Sequence, residues 1–329
     1  MVNVTETIPS KKMVKYLPLL IIPLLPLILS NYGYGIMLLC FAEIYIIATT
    51  GFDVLFGYSG QISFATSAFF GIGAYGSALL HKHFGIPIAL TMILAAVLGC
   101  IIGMLFAYPV SKLRFAFLSL STISFNHIIH QLITRSPGGI TGDFNGMFTG
   151  WLSLFGISFA NHTLYFYYGL FWTVLLVALK MMLVRSRVGR AFLAIKQNQH
   201  AAEGMGIDTR KYKVYAFGVY GFYVAFAGSM YGHLVGFISP ETFAQPQSVL
   251  FVIMAMFGGL CSDWGPVIGG ASIMLLNDIL GYLEQFQLLA YGILLMVFIV
   301  FLPGGIVGEG KKLLDKIRRQ KEVDTDVKG

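Results

Sequence analysis

The sequence predicts an all-α integral membrane protein, a polytopic helical bundle of about ten transmembrane segments, eight to ten, with both termini in the cytoplasm. Three observations predict it. Of 329 residues, 57% are hydrophobic and only 11% are charged, and the mean hydropathy is +0.76, which leaves too little polar surface for a soluble chain of this length. The apolar runs approach the roughly 20 residues that a helix needs to cross about 30 Å of hydrocarbon, and they lack the alternation of barrel strands. Lysine and arginine gather in the turns on one side.

Taken in order, the runs lie at about 16–30, 33–51, 54–80, 86–108, 115–134, 164–184, 213–238, 247–262, 264–281 and 287–302. The first is short and carries Pro18, Pro23 and Pro26, which makes the count eight to ten. With the N-terminus inside, the inner segments hold Lys11, Lys12 and Lys15, then Lys112 and Arg114, then the stretch Lys180 to Lys213, then Lys311 to Lys328. That is 20 of the 22 basic residues, leaving Lys82 and Arg135 outside. The positive-inside rule therefore orients the chain, and the net charge of +7 reports topology rather than nucleic-acid binding. The stretch Leu17 to Leu29 has the shape of a signal peptide, but no A-x-A-like cleavage site follows it.

The chain reads as a single transmembrane domain over 1–329. It carries an external loop at 135–163, a cytoplasmic loop at 185–213 and a basic cytoplasmic tail at 303–329. Leu313, Leu314 and Ile317 share one face of that tail, as expected of a segment lying along the inner leaflet. Cys40, Cys100 and Cys261 match no metal spacing and read as small core residues.

Two motif matches are set aside. Gly71 to Gly76 fits G-x-G-x-x-G but lies inside an apolar run with no preceding strand, so it reads as close helix packing. Gly305 to Lys311 spells most of a P-loop, but Lys312 stands where the Ser or Thr that binds Mg²⁺ belongs. The chain thus shows no nucleotide-hydrolysis site of its own, nor a metalloprotease motif or nucleophile elbow. Gly99 with Gly103, Gly228 with Gly232 and Gly236, and Gly265 with Gly269 form small-residue ridges suited to close helix contact.

Polar groups at membrane depth persist only where something answers them, since a charge near a helix centre costs roughly 2.5–3.5 kcal/mol on insertion scales. Glu43 lies in the middle of the second run, Asn126, His127 and His130 lie late in the fifth, and Asn277 with Asp278 end the ninth. His127 and His130 share a helix face, where an aqueous path, a metal site and an ordinary interfacial pair all remain open. Asn277 and Asp278 read as an ordinary helix end. The third run is apolar overall, yet its first half carries Ser59, Gln61, Ser63, Thr66 and Ser67, which predicts a bent or broken helix facing a cavity. The candidate translocation path is Glu43, Gln61, Ser63, Asn126 and His127.

Within the cytoplasmic loop, Ala191, Phe192, Ala194 and Ile195 recur at near-helical spacing. They predict a short amphipathic helix that offers an apolar ridge to a partner while Arg187, Arg190 and Lys196 stay in water. The alternative is that the basic residues only fix topology and touch lipid headgroups.

Four blocks of sequence also resemble one family. FGYSGQISFATSAFFGIGAYGSALL at 56–80 resembles the G-Y-x-G-Q-x-S signature of the branched-chain amino acid permeases of ABC importers, in particular the LivM branch. SRVGRAFLAIKQNQHAAEGMGI from 186, MFGGLCSDWGPVIGG at 256–270 and ITGDFNGM at 140–147 are similar to further stretches of that family, in the same order. The resemblance implies an inner-membrane, multi-pass subunit that is not an enzyme. It implies a second homologous permease as partner, two cytoplasmic ATPase subunits that bind ATP and Mg²⁺, and a periplasmic substrate-binding protein. In this chain itself the resemblance implies no cofactor.

Importer permeases of this kind carry an E-A-A-x-x-x-G pattern whose short helix docks on the ATPase. Ala201, Ala202 and Gly206 match it, with His200 in place of the acidic residue, and Arg190 belongs to the matched stretch before it. The implied substrates are leucine, isoleucine and valine, while relatives carry urea, amides or aromatic acids. A proton-coupled secondary transporter or channel using Glu43 and His127 is the alternative reading.

Overall fold

A computed structural model describes residue 26, residues 33–301 except 114, 155–156, 160 and 282–285, and residues 305–309. The first apolar run and most of the basic tail lie outside the described residues, as do the side chains of Asn277 and Asp278. What is described is a helical bundle. Its helices are α1 (Gly33–Phe52), α2 (Thr66–Phe84), α3 (Ile88–Val110), α4 (Phe115–Arg135), α5 (His162–Arg185), α6 (Arg187–Gln197), α7 (Gln199–Gly204), α8 (Thr209–Val235), α9 (Gln245–Gly258), α10 (Gly265–Gly281) and α11 (Gln287–Phe301). Each apolar run that falls within the described residues thus contributes helix, with one of them interrupted.

One boundary differs from the expectation. The second run does not end before Asp53 but continues through a π-helical turn, Asp53–Tyr58, so that Gly33–Tyr58 is one apolar helix of 26 residues. That helix, Ile88–Val110 and His162–Arg185 are long and apolar enough to cross a membrane. Beyond Tyr58 the chain is non-helical until α2 starts at Thr66. The third segment is therefore broken, as its serines and Gln61 predicted.

Helix α8 is the centre of the bundle, packed on α1, α2 and α3. Small residues let the backbones approach. A Cβ added at Gly99 or Gly103 would sit 2.6 Å from the carbonyl oxygen of Gly221 or Phe217 on α8, and one at Gly228 would run into the Phe70 carbonyl of α2. Gly269 packs in the same way on Met254 of α9. Gly236 plays a different part: with φ of 77° it is the left-handed residue that ends α8.

The connection between α4 and α5 is more than a tether. Its strand β1 (Met147–Phe148) pairs antiparallel with β4 (Phe237–Ile238), just after α8, and β2 (Ser153–Leu154) pairs with β3 (Ile157–Ser158). Thr149 donates its backbone N–H to Gly236 O at 3.0 Å and its hydroxyl to Gly232 O at 2.6 Å, which seats the connection on the end of α8. The short helices α6 and α7 lie at the opposite end.

Candidate functional site

Polar residues gather at two levels of this apolar bundle. The first lies at the end that carries α6 and α7. Ser186 caps α6 by accepting the Val188 N–H at 3.1 Å, and Asn198 caps α7 by accepting the Ala201 N–H at 3.1 Å. The apolar ridge of α6 is real but faces the other way from the expectation. Gly189, Ala191, Phe192 and Ile195 are buried within the chain, and Gly189 admits the Val184 backbone. The ridge therefore seats α6 on its own bundle, and what remains exposed is the charged face of Arg187, Arg190 and Lys196 together with much of α7.

On α7, Ala202 is 1% exposed while Met205 is 81% exposed. Ala201, Gly204 and Gly206 are also exposed. Ala202 thus anchors the helix, and Ala201, Met205 and Gly206 form its outer surface. His200 projects into solvent, with Nδ1 at 3.8 Å from Glu203 Oε2. Glu203 accepts hydrogen bonds from Gln199 Nε2 at 2.9 Å and Thr209 Oγ1 at 2.7 Å, which pull its carboxyl below the ordinary range.

Beneath α6 lies a compact joint. Lys180 of α5 and Asp53 of the π turn form an ion pair at 2.8 Å, with both side chains 1% exposed. The remaining valences are answered by the α9–α10 turn: Asp53 Oδ1 accepts the Cys261 N–H at 2.9 Å, and Lys180 Nζ donates to Ser262 O at 2.7 Å. Lys196 of α6 donates to Cys261 Sγ at 3.2 Å, and that thiol donates to Gly57 O at 2.8 Å. Gly57 is required because a Cβ there would collide with Asp53, and Gly60, with φ of +71°, lies against the Lys196 stem. Four parts therefore meet here: the end of α1, α5, α6 and the α9–α10 turn. Neither Asp53 nor Lys180 is a predicted site residue.

The second level is a seam where two helices begin inside the bundle. Helix α2 follows the non-helical stretch 59–65, and α9 follows a short 3-10 helix, Pro240–Phe243. Ser67 N–H donates to Ser248 Oγ at 2.9 Å, and Ser67 Oγ donates to Asn126 Oδ1 at 2.8 Å. Asn126 Nδ2 in turn donates to Gln245 Oε1, and Gln245 Nε2 to Phe64 O at 3.4 Å. Thr122 Oγ1 accepts the Phe64 N–H at 3.0 Å, while Tyr220 OH donates to Thr66 Oγ1 at 2.8 Å. Side chains of α4 and α9 thus supply partners that a continuous helix would have given its own backbone.

The expected path residues fall in different places. Asn126 is in the seam, and Ser63 borders it, 3.4 Å from Tyr220 OH. Gln61 is buried in the broken stretch with its Nε2 donating to Ser59 Oγ at 2.8 Å. Glu43 is separate: it is 5% exposed and points toward Gly169 of α5, and neither carboxylate oxygen has a hydrogen-bond partner among the described residues. His127 is exposed on α4. Sequence reasoning missed Thr122, Tyr220, Gln245 and Ser248, which lie far along the chain from the broken segment that they complete.

Comparisons with known proteins identify the family. A family described as "Branched-chain amino acid transport system / permease component" has a profile that matches residues 35–302. The chain is 26% identical to the high-affinity branched-chain amino acid transport system permease protein LivM of Escherichia coli K12, over 80% of this chain and 68% of that one. It is 22% identical to a probable LivM permease of Methanocaldococcus jannaschii, over 83% and 93%. It is 24% identical to the LivH permease of Salmonella typhimurium LT2, over 80% and 91%. No solved structure matches it.

Proposed function

Because the chain belongs to the branched-chain amino acid transport permease family, we propose that it is the inner-membrane permease subunit of an ATP-driven importer for leucine, isoleucine and valine or a related small polar substrate. In this reading about ten helices cross the membrane, both termini are cytoplasmic, and the 303–329 tail lies on the inner leaflet. A second, LivH-like permease completes the path. Two cytoplasmic ATPases bind ATP and Mg²⁺, and a periplasmic binding protein delivers substrate to the 135–163 connection.

The observation that carries this reading is the seating of α6 and α7. Their apolar ridge is used internally, their outer face is exposed, and Lys196 reaches from them to Cys261 at the rim of the joint that buries Asp53. An ATPase that moves α6 thereby moves α1, the α9–α10 turn and the start of the broken segment together. Closure of the two ATPases on ATP would draw the α6–α7 units of the two permeases together and turn the path outward, and hydrolysis would reverse it.

The docking claim is tested with Ala201→Trp and Gly204→Trp, two exposed positions; no atom lies within 4 Å of a Cβ added at Gly204. Substrate-stimulated ATP hydrolysis of the assembled complex should fall about tenfold, as expected for about 1.4 kcal/mol of lost docking. Unchanged stimulation in both variants rules the coupling role out. Glu43, a buried carboxyl without a partner, favours the second reading of a proton-coupled transporter acting alone. That reading requires uptake by this chain alone in vesicles holding a proton gradient and no ATP.

A further inference from the structure

Helix α4 is long enough to span hydrocarbon, yet its exposed face is mixed: Phe117, Leu120, Ile128 and Leu132 share it with a row of polar and ionisable side chains. On α3 the exposed stripe is Leu90, Ile93, Leu94, Val97, Leu98, Ile101 and Leu105, and on α5 it includes Phe171, Leu175, Leu179 and Met182. Those faces are apolar throughout, as contact with lipid tails requires. On α4, Ser124, His127, Gln131 and Arg135 are all exposed and follow one another at three or four residues, forming a single ridge. Polar and ionisable side chains at this depth turn toward protein or water rather than lipid.

The apolar residues beside the ridge make a recess rather than a flat surface. Phe106 of α3 and Phe117, Leu120, Ser121, Ser124 and Phe125 of α4 line an open hollow of about 460 Å³. Ser121 and Ser124 donate their hydroxyls back to Phe117 O at 2.8 Å and Leu120 O at 3.0 Å. Their protons are thereby used, and their lone pairs remain available to a donor in the hollow. Asn126, one residue before His127, turns inward to the seam and is 1% exposed. The helix therefore separates a structural polar face from a second face that nothing among the described residues covers.

We propose that this exposed face of α4 is the wall of the translocation path, shared with the second permease subunit across from it. The ridge offers hydrogen bonds to the charged head of a small zwitterion, Arg135 attracts its carboxylate at the end nearest the β1–β4 connection, and the recess takes a branched apolar side chain. This deepens the importer reading and rests on it.

The test uses single cysteines at Ser124, His127 and Gln131, with Leu98 and Ile101 on α3 as lipid-facing controls. The complex is reconstituted in vesicles and treated with a membrane-impermeant cationic methanethiosulfonate, and labelling of the protein without added cysteines is subtracted. The α4 cysteines should react about tenfold faster than the controls, because the reagent needs a hydrated thiolate. Their modification should block uptake, and the rates should change when nucleotide is added. Reaction at the control rate means a lipid face and overturns the proposal. Reaction in the isolated chain that is lost in the complex, with or without nucleotide, means a dry subunit contact and also overturns it. The importer reading fails by a separate sign, uptake without ATP, which leaves the labelling rates interpretable.

Discussion

Lys180 Nζ lies 2.8 Å from Asp53 Oδ2, an ion pair buried between two membrane helices directly under the short helices α6 and α7. Removing one partner of such a pair strands the other charge, typically at about 3–5 kcal/mol, whereas replacing both by apolar residues of similar size is often neutral. Asp53→Asn or Lys180→Met should therefore lower the thermal midpoint of the purified complex markedly, and Asp53→Leu combined with Lys180→Met should recover part of it, since the Cys261 N–H and Ser262 O lose their partners. The double variant separates two roles. Recovered stability with recovered transport per ATP makes the pair a staple only, while recovered stability with uncoupled hydrolysis makes it part of the transmission from α6 to α1.

At the seam, Ser248 Oγ holds the Ser67 N–H at the first turn of α2, and Asn126 bridges Ser67 to Gln245. Leaving a buried donor or acceptor without a partner costs about 1–3 kcal/mol. Ser248→Ala and Asn126→Leu should each destabilise by about that amount, and the two together by less than the sum, because both empty one network. Additive effects in a double-mutant cycle of thermal midpoints would show that the seam is not a unit.

The sequence carried the helices and the break in the third segment, because both depend on local composition: long apolar runs, and Ser59 to Ser67 interrupting one of them. It did not carry the partners of that break. Ser248 and Gln245 are 181 positions from Ser67 and Phe64, and no periodicity relates residues so distant. Asp53 and Lys180 were hidden for another reason. Each sits at the edge of an apolar run, where a charge is read as the boundary of a span, and Lys180 is counted with the basic turn. The positive-inside orientation places both at the same membrane face, so an acid and a base at matching depths were a usable signal. The inward turn of the α6 ridge had none. Amphipathicity shows that one face is apolar but not which neighbour covers it.

Glu43 offers a direct choice between the two transport readings. Its carboxyl packs toward Gly169, where a Cβ would collide with it, and among the described residues no group hydrogen-bonds to either oxygen. An ATP-driven importer does not need that proton, so Glu43→Gln, which keeps the volume, should retain uptake within about twofold and stability within about 0.5 kcal/mol. Loss of uptake without loss of folding would favour proton coupling.

Glu203 sets a pH limit on the seat of α7. Its carboxylate accepts from Gln199 and Thr209, which lowers its pKa relative to the unfolded chain. A depressed carboxylate contributes its stabilisation above the unfolded value of about 4.3, and that contribution fades as pH falls through the lower folded value. Between pH 6 and 8, about two units or more above that value, the seat should be indifferent to Glu203 titration. Below about pH 4 the amides of 199–206 should exchange faster than those of α8. Glu203→Ala, which removes the acceptor of both bonds, should show the faster exchange already at pH 7 and remove its pH dependence. If exchange in 199–206 is equal in the variant and the parent at pH 7, the two hydrogen bonds do not hold the helix in place.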